Sequence, residues 1–384
     1  MKPTHTIDPS GDTLFILQNA NAPFAVLPPS ITLQTQQRGL HAAKADEPQI
    51  SKDKPEVRMR LSSKHLTLAS AYFEKLTTSG FKETTPQDGY SYVITAQDWD
   101  EEALLAMMNI IHGRTAKVPR IVSLEMLAKL AVLVDYYQCH QTVQFFAETW
   151  IHHLKESFPF RFRRDVLLRL TVSWVFSEAT TFMTLTKAII LESNEPVDSS
   201  GLPIPQAIID ALNQSREDVI AGTISGLHSL KTQFYESDGG CSFECSAIYL
   251  GALTKGMSKM NILDPVPKRP FLGHSLLALK QAVCAIKEPS WQSTCPKTYT
   301  VPEIPNELFS SRPKAASPFS ATRPIARPLF GSSSASPPSA FSVSFKAPSS
   351  RVVNLCSISA KTRPIITEQL ARANGLVLKD FVKK

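Results

Sequence analysis

The stretch V-R-M-R-L-S-S-K-H-L-T-L-A-S-A-Y-F-E-K-L, from Val57 to Leu76, decides the fold. Its hydrophobic period changes partway along. Val57, Met59 and Leu61 alternate with Arg58 and Arg60, the two-residue repeat of a half-buried strand. From Leu66 onward the apolar positions are Leu66, Ala69, Phe73 and Leu76, the spacing of one helix face. Ser62 or Ser63 stands at the change and is suited to cap the helix. A strand running directly into an amphipathic helix predicts an α+β arrangement.

Upstream, residues 12–19 (DTLFILQN) predict a strand, with residues 23–27 (PFAVL) as its hairpin partner. The polar stretch from Pro28 to Glu56 carries four prolines and reads as a mobile insertion. Downstream, Tyr90–Ile94 predicts a further strand. Asp98, three residues before Glu101, predicts a capped helix that buries Leu104, Leu105, Met108 and Ile111 and stops at Gly113. Ser123 predicts the next helix start, with Leu127, Leu130, Ala131 and Val134 inside. A third helix over Thr142–Lys155 has Val143, Phe146, Ala147, Trp150 and Leu154 in register, and Cys139-His140 reads as the end of the helix before it.

Beyond Phe158 the periodicity is helical throughout. Stripes at Val166/Leu167/Leu170/Trp174, Ile208/Ile209/Leu212 and Ile220/Ile224/Leu227 are followed by Cys245–Met260 and Ser275–Ile286. Arg161, Arg163 and Arg164 read as an exposed linker at the head of this region. The composition then shifts: residues 296–350 hold 10 Pro and 13 Ser, too little apolar surface to offset chain entropy. The expected organisation is a flexible segment 1–7, a sheet-and-helix domain 8–156 with its insertion at 28–56, an all-α domain 157–292, and a disordered basic tail 293–384. Within that tail a short helix is expected near Thr367–Ala373.

Charge separates these regions. Between Pro296 and Lys384 there are 13 Lys/Arg against 4 Asp/Glu, a net of +9; the whole chain carries +7, which leaves −2 for residues 1–295. The folded part is therefore near neutral, which argues against a nucleic-acid-binding domain there and leaves only weak contact through the tail. The N-terminus has no apolar signal-like core, and no apolar stretch approaches a membrane span, so an intracellular protein of cytoplasm or nucleus is expected.

The pieces together resemble a BTB/POZ domain. A strand pair, a strand leading into K-H-L-x-L-A-S-x-x-F (Lys64–Phe73), Ser79–Glu83, another strand, and a helix ending in I-I-H-G fall in that family's order, and Asp12 matches its acidic residue at the opening strand. The runs Asp98–Arg114, Val122–His140 and Gly240–Lys255 resemble a fungal branch in which a helical region follows. The resemblance spans residues 8–292. It departs from the family in the 28–56 insertion and in Ile111-His112-Gly113, where many relatives carry a tyrosine. His65 and Ser70, polar within an apolar stripe, are expected to bond backbone groups at the strand-to-helix junction, while Leu66, Leu68 and Phe73 pack the helix on the sheet.

What the resemblance implies is association: a homodimer, protein partners, and, in many relatives, docking to a cullin scaffold of a ubiquitin ligase. Phe81-Lys82-Glu83 matches the cullin-contacting element, Phe81 filling an apolar pocket and Glu83 adding a bond at its rim. The plainer reading has Phe81 closing a helix end and Glu83 in solvent. A second function class is a nuclear regulator whose dimer presents basic tails to nucleic acid.

No catalytic motif is present: there is no G-x-S-x-G, no phosphate-cradling Gly-rich loop and no H-E-x-x-H. Neighbouring Cys139 and His140 lack the geometry of a nucleophile and base. Cys241 and Cys245 would share a helix face, but no second ligand pair follows, so structural thiols are expected and no metal or cofactor. Tyr136, Tyr137 and the tryptophans read as core.

Overall fold

The computed structural model describes residues 2–27, 55–78, 89–154, 163–236, 240–290, 298–301, 351–354 and 357–382. Nearly all of the 28–56 insertion, and Phe81 with Glu83, lie outside these residues.

Four strands form one sheet: β1 (His5–Thr6), β2 (Thr13–Gln18), β3 (Val57–Leu61) and β4 (Tyr92–Gln97), in the order β1-β3-β2-β4. The antiparallel partner of β2 is β3, with Phe15 opposite Met59, and β4 runs parallel to β2, with Phe15 opposite Ile94. The expected hairpin partner, residues 23–27, is not a strand. Ala25 takes a left-handed backbone (φ 48°), and the carbonyls of Phe24 and Ala25 accept from the Arg164 guanidinium instead of from a neighbouring strand. The N-terminus is likewise tied down, since β1 pairs with β3. Both faces of β2 are covered: Phe15 and Leu17 enter the main core, and Leu14 and Ile16 pack with Tyr90 on the other side.

The predicted single helix after β3 is two helices, α1 (Ser63–Ala69) and α2 (Ala71–Thr78), divided at Ser70, whose backbone is extended (φ −148°, ψ 120°). After β4 come α3 (Glu101–Ile111), α4 (Leu124–Tyr137) and α5 (His140–Leu154). The cap of α3 is Asp100, accepting from Ala103 N–H, and not Asp98, which sits at φ 68° and accepts from the Asn19 amide. Ser123 caps α4 as expected. His140 opens α5 rather than closing α4, because Gln138 takes the left-handed conformation that ends α4.

The helical region comprises α6 (Arg163–Val175), α7 (Ala179–Glu192), α8 (Gln206–Tyr235), α9 (Phe243–Lys259) and α10 (Leu276–Cys284). The stripes at 208–212 and 220–227 lie on one helix, α8, whose 30 residues reach about 45 Å. The apolar core runs without a break across residue 157: Phe15, Phe73 and Leu130 share a cluster with Leu167, Phe182 and Leu212. The division falls within α8, between Val219 and Ile220, where a second cluster begins.

A buried arginine fixes the loop between α9 and α10. Arg216 is fully buried, and its guanidinium donates to the carbonyls of Ser193, Pro270, Phe271 and His274 at 2.7–3.0 Å. Burial lowers its pKa.

The segment expected as a disordered tail has structure in its described parts. β5 (Thr298–Val301) pairs antiparallel with β6 (Arg351–Asn354), and α11 (Ile358–Arg372) packs on α8. Pro364 lies inside α11, yet Ile358 and Ile366 are buried in the second cluster and Ala373 and Leu378 in the first. Tertiary burial thus outweighs the proline's cost to the helix.

Candidate interaction surface

The junction between sheet and helix is built from three polar groups. Asp12, at the entrance to β2, accepts from Ser63 N–H at 2.8 Å and from the Ser63 hydroxyl at 2.6 Å, so a residue remote in sequence caps α1. Burial acts to raise the Asp12 pKa, but the two Ser63 bonds, together with those from the Asp12 N–H and the Thr13 hydroxyl, outweigh it and hold the carboxyl below its ordinary value. Ser62 and Ser63 do not cap with their own side chains; Ser62 N–H donates to His112 Nε2 at 3.0 Å. Since Nε2 accepts there, Nδ1 carries the proton and donates to Met108 O at 2.8 Å. Burial lowers the His112 pKa, and the nearby His65 and Arg114 add to that.

His65 does not take the backbone-bonding place expected of it. It is exposed and stacks its ring on His112, centroids 5.0 Å apart. His112 makes the bonds instead, because its position after α3 aims it at the β3–α1 turn. Ser70 does fill its expected role: its hydroxyl donates to Tyr137 O and accepts from Phe73 N–H at 3.1 Å, capping α2 and holding α4 against it.

Leu66, Phe73 and Met108 are buried, and Leu105 is partly buried against the same core. Leu68 does not pack on the sheet; it is 89% exposed. The physical reason is angular. Two residues beyond Leu66, Leu68 is turned about 200° around the helix, away from the buried stripe. Tyr136 is also a correction: it is half-exposed, whereas its neighbour Tyr137 is buried and stacks on Phe73 with centroids 5.0 Å apart.

These positions border one seam. The Thr142 hydroxyl donates to Ala69 O, which ties the first turn of α5 to the end of α1. Leu68 is next to Ala69, and Phe145, one turn beyond Thr142, is 74% exposed. Tyr72 of α2 and Tyr136 of α4 continue the border, their rings 5.4 Å apart. Leu68 and Phe145 thus leave a large aliphatic and an aromatic side chain in water, one on each of the two helices that the Thr142–Ala69 bond joins.

A cleft of about 330 Å³ opens elsewhere, between residues 22–26, Asp98–Asp100, α4 and Ser200–Leu202. Its charges are already matched. Lys129 pairs with Asp100 at 2.8 Å and Glu125 at 3.2 Å, and Arg164 pairs with Glu125 at 2.9 Å. Arg164 is therefore a strap and not an exposed linker; Arg161 lies outside the described residues.

Cys139 is buried, its thiol pushed up to about 12 by burial, and its sulfur lies 3.7 Å from Met107 Sδ. Cys241 precedes α9 instead of sharing its face with buried Cys245. Among the described residues, no three His, Cys, Asp or Glu side chains are grouped to hold a metal ion, and no helix is long and apolar enough to cross a membrane. No model of a known protein family matches the chain, and no curated protein matches it.

Proposed function

We propose that this chain is a non-enzymatic association module of the BTB/POZ kind, a homodimerising adaptor or scaffold able to link partners to a cullin-type ubiquitin ligase. The observation that carries the reading is the seam just described: Leu68 and Phe145 stand in solvent beside a helix pair whose inner residues Leu66 and Phe73 are fully packed. The order of elements supports it. An antiparallel strand pair leads into a serine-broken helix pair, then comes a strand parallel to the first, then a helix closing at His112-Gly113. The cullin arm rests on Phe81-Lys82-Glu83 in the sequence.

Light scattering of the full-length chain tests the pairing, with Leu68→Glu and Phe145→Asp beside the wild type. The wild type is expected as a dimer, and each variant as a monomer with unchanged circular dichroism. Surface substitutions of this kind change stability by no more than about 0.5 kcal/mol. A wild type that stays monomeric at every concentration and ignores an added cullin N-terminal domain ends the proposal.

A further inference from the structure

The C-terminal segment is fitted to its place with unusual closeness. On α8, Gly222 and Gly226 lie one turn apart and form a notch. A Cβ on Gly222 would sit 2.5 Å from the Gln369 amide oxygen, and one on Gly226 would sit 2.6 Å from Ile365. Gly375 likewise lies against the backbone of Met183 on α7. Polar contacts fix both ends of the segment. The exposed Glu288 carboxylate, just beyond α10, accepts from Ile358 N–H at 2.8 Å and Ser359 N–H at 3.3 Å; the Thr186 hydroxyl accepts from Leu376 N–H at 2.9 Å.

None of these contacts depends on the covalent connection. Residues 291–356 separate α10's exit from α11, a run of 66 residues, although Glu288 already touches Ile358. Every contact named above lies outside that run, so the same contacts would form with a segment delivered by another molecule. One contact is imperfect: Gln369 is buried, and its Oε1 has no hydrogen-bond partner, which weakens the docking.

We propose that the notch on α7 and the second half of α8 is a helix-binding site. Its ligand is the chain's own C-terminal segment, residues 357–382, which docks non-covalently and exchanges with the same segment of a second copy. The site holds its ligand by shape at the two glycines and by Glu288 at the helix N-terminus.

A specific-protease site placed between Ser333 and Ser334 of the full-length chain, then cut, tests this. The released C-terminal fragment is expected to co-elute with the body on gel filtration. Excess fluorescent peptide of residues 351–384, the segment a second copy would present, is expected to replace it. Glu288→Ala should speed the exchange roughly tenfold, the loss of one helix cap, and Gly226→Leu should abolish peptide uptake. If Gly226→Leu fails to fold, Glu288→Ala decides, and an unchanged exchange rate there overturns the proposal. So does a fragment that excess peptide never displaces, or one lost on the first column that does not rebind.

Discussion

The two apolar clusters of this molecule are fastened in different ways. The first, around Phe15, Phe73 and Leu130, draws side chains from Ile7 to Leu378, and its polar fastenings, Asp12 and Ser70, each answer groups on one or two residues. The second, around Leu227, Leu253 and Ile366, is closed by a helix arriving from the far end of the chain and, at Phe271, by the Arg216 guanidinium, which holds four carbonyls at once. Where a loop buries several carbonyls together, one side chain rich in donors can satisfy them all, because each orphaned carbonyl must find a donor.

The largest expected effect tests the second cluster. Arg216→Ala removes the donors of four carbonyls at once and should cost about 4 kcal/mol, measured by chemical denaturation. If α8 couples the two clusters, unfolding stays a single transition; two transitions would show that they melt apart. A change of similar kind in the first cluster should be somewhat milder. Phe73→Ala should cost about 3 kcal/mol through the cavity it leaves against Tyr137.

Removing a polar fastening of the first cluster should matter less. Asp12→Ala deprives α1 of its cap and should cost about 1 kcal/mol. The Asp12 carboxyl has a lowered pKa, so its contribution is complete above the ordinary carboxylate value and fades as pH falls through the lowered one. A thermal melt series through acid pH should show this loss in the wild type and not in Asp12→Ala.

The smallest effect concerns His112. Its pKa lies below 6.5 in the folded chain, so the unfolded chain binds the proton more readily. Stability is then complete above pH 6.5 and declines as pH falls toward the folded value. Protonating Nε2 would also cost the Ser62 N–H its acceptor. His112→Gln should flatten melting temperature between neutral and mildly acid pH; an equal slope in both proteins would remove His112 from the account.

The strand-to-helix reading of Val57–Leu76 was legible because periodicity needs only the order of residues, and β3, Leu66 and Phe73 follow it. The cap at Ser123 was legible for the same reason, since a cap bonds within three residues. The seam was less so. Leu68 satisfies an apolar pattern by type but faces water by angle, and the exposure of Phe145 depends on what other helices leave uncovered. The helix α7, rich in threonine, showed no clear stripe. No local signal announced Arg216, whose role rests on carbonyls more than fifty residues away at Pro270 and beyond.

Sequence by itself determined the alternation of strand and helix, the start of α4 at Ser123 and the near-neutral charge of the body, because these follow from neighbouring residues. Tertiary structure alone decided that Asp12 caps α1, that Ser70 splits a helix, that α8 joins two clusters and that residues 357–382 contribute to both. Each of those outcomes is a contact between distant parts of the chain, and its free energy exists only once the chain has brought them together.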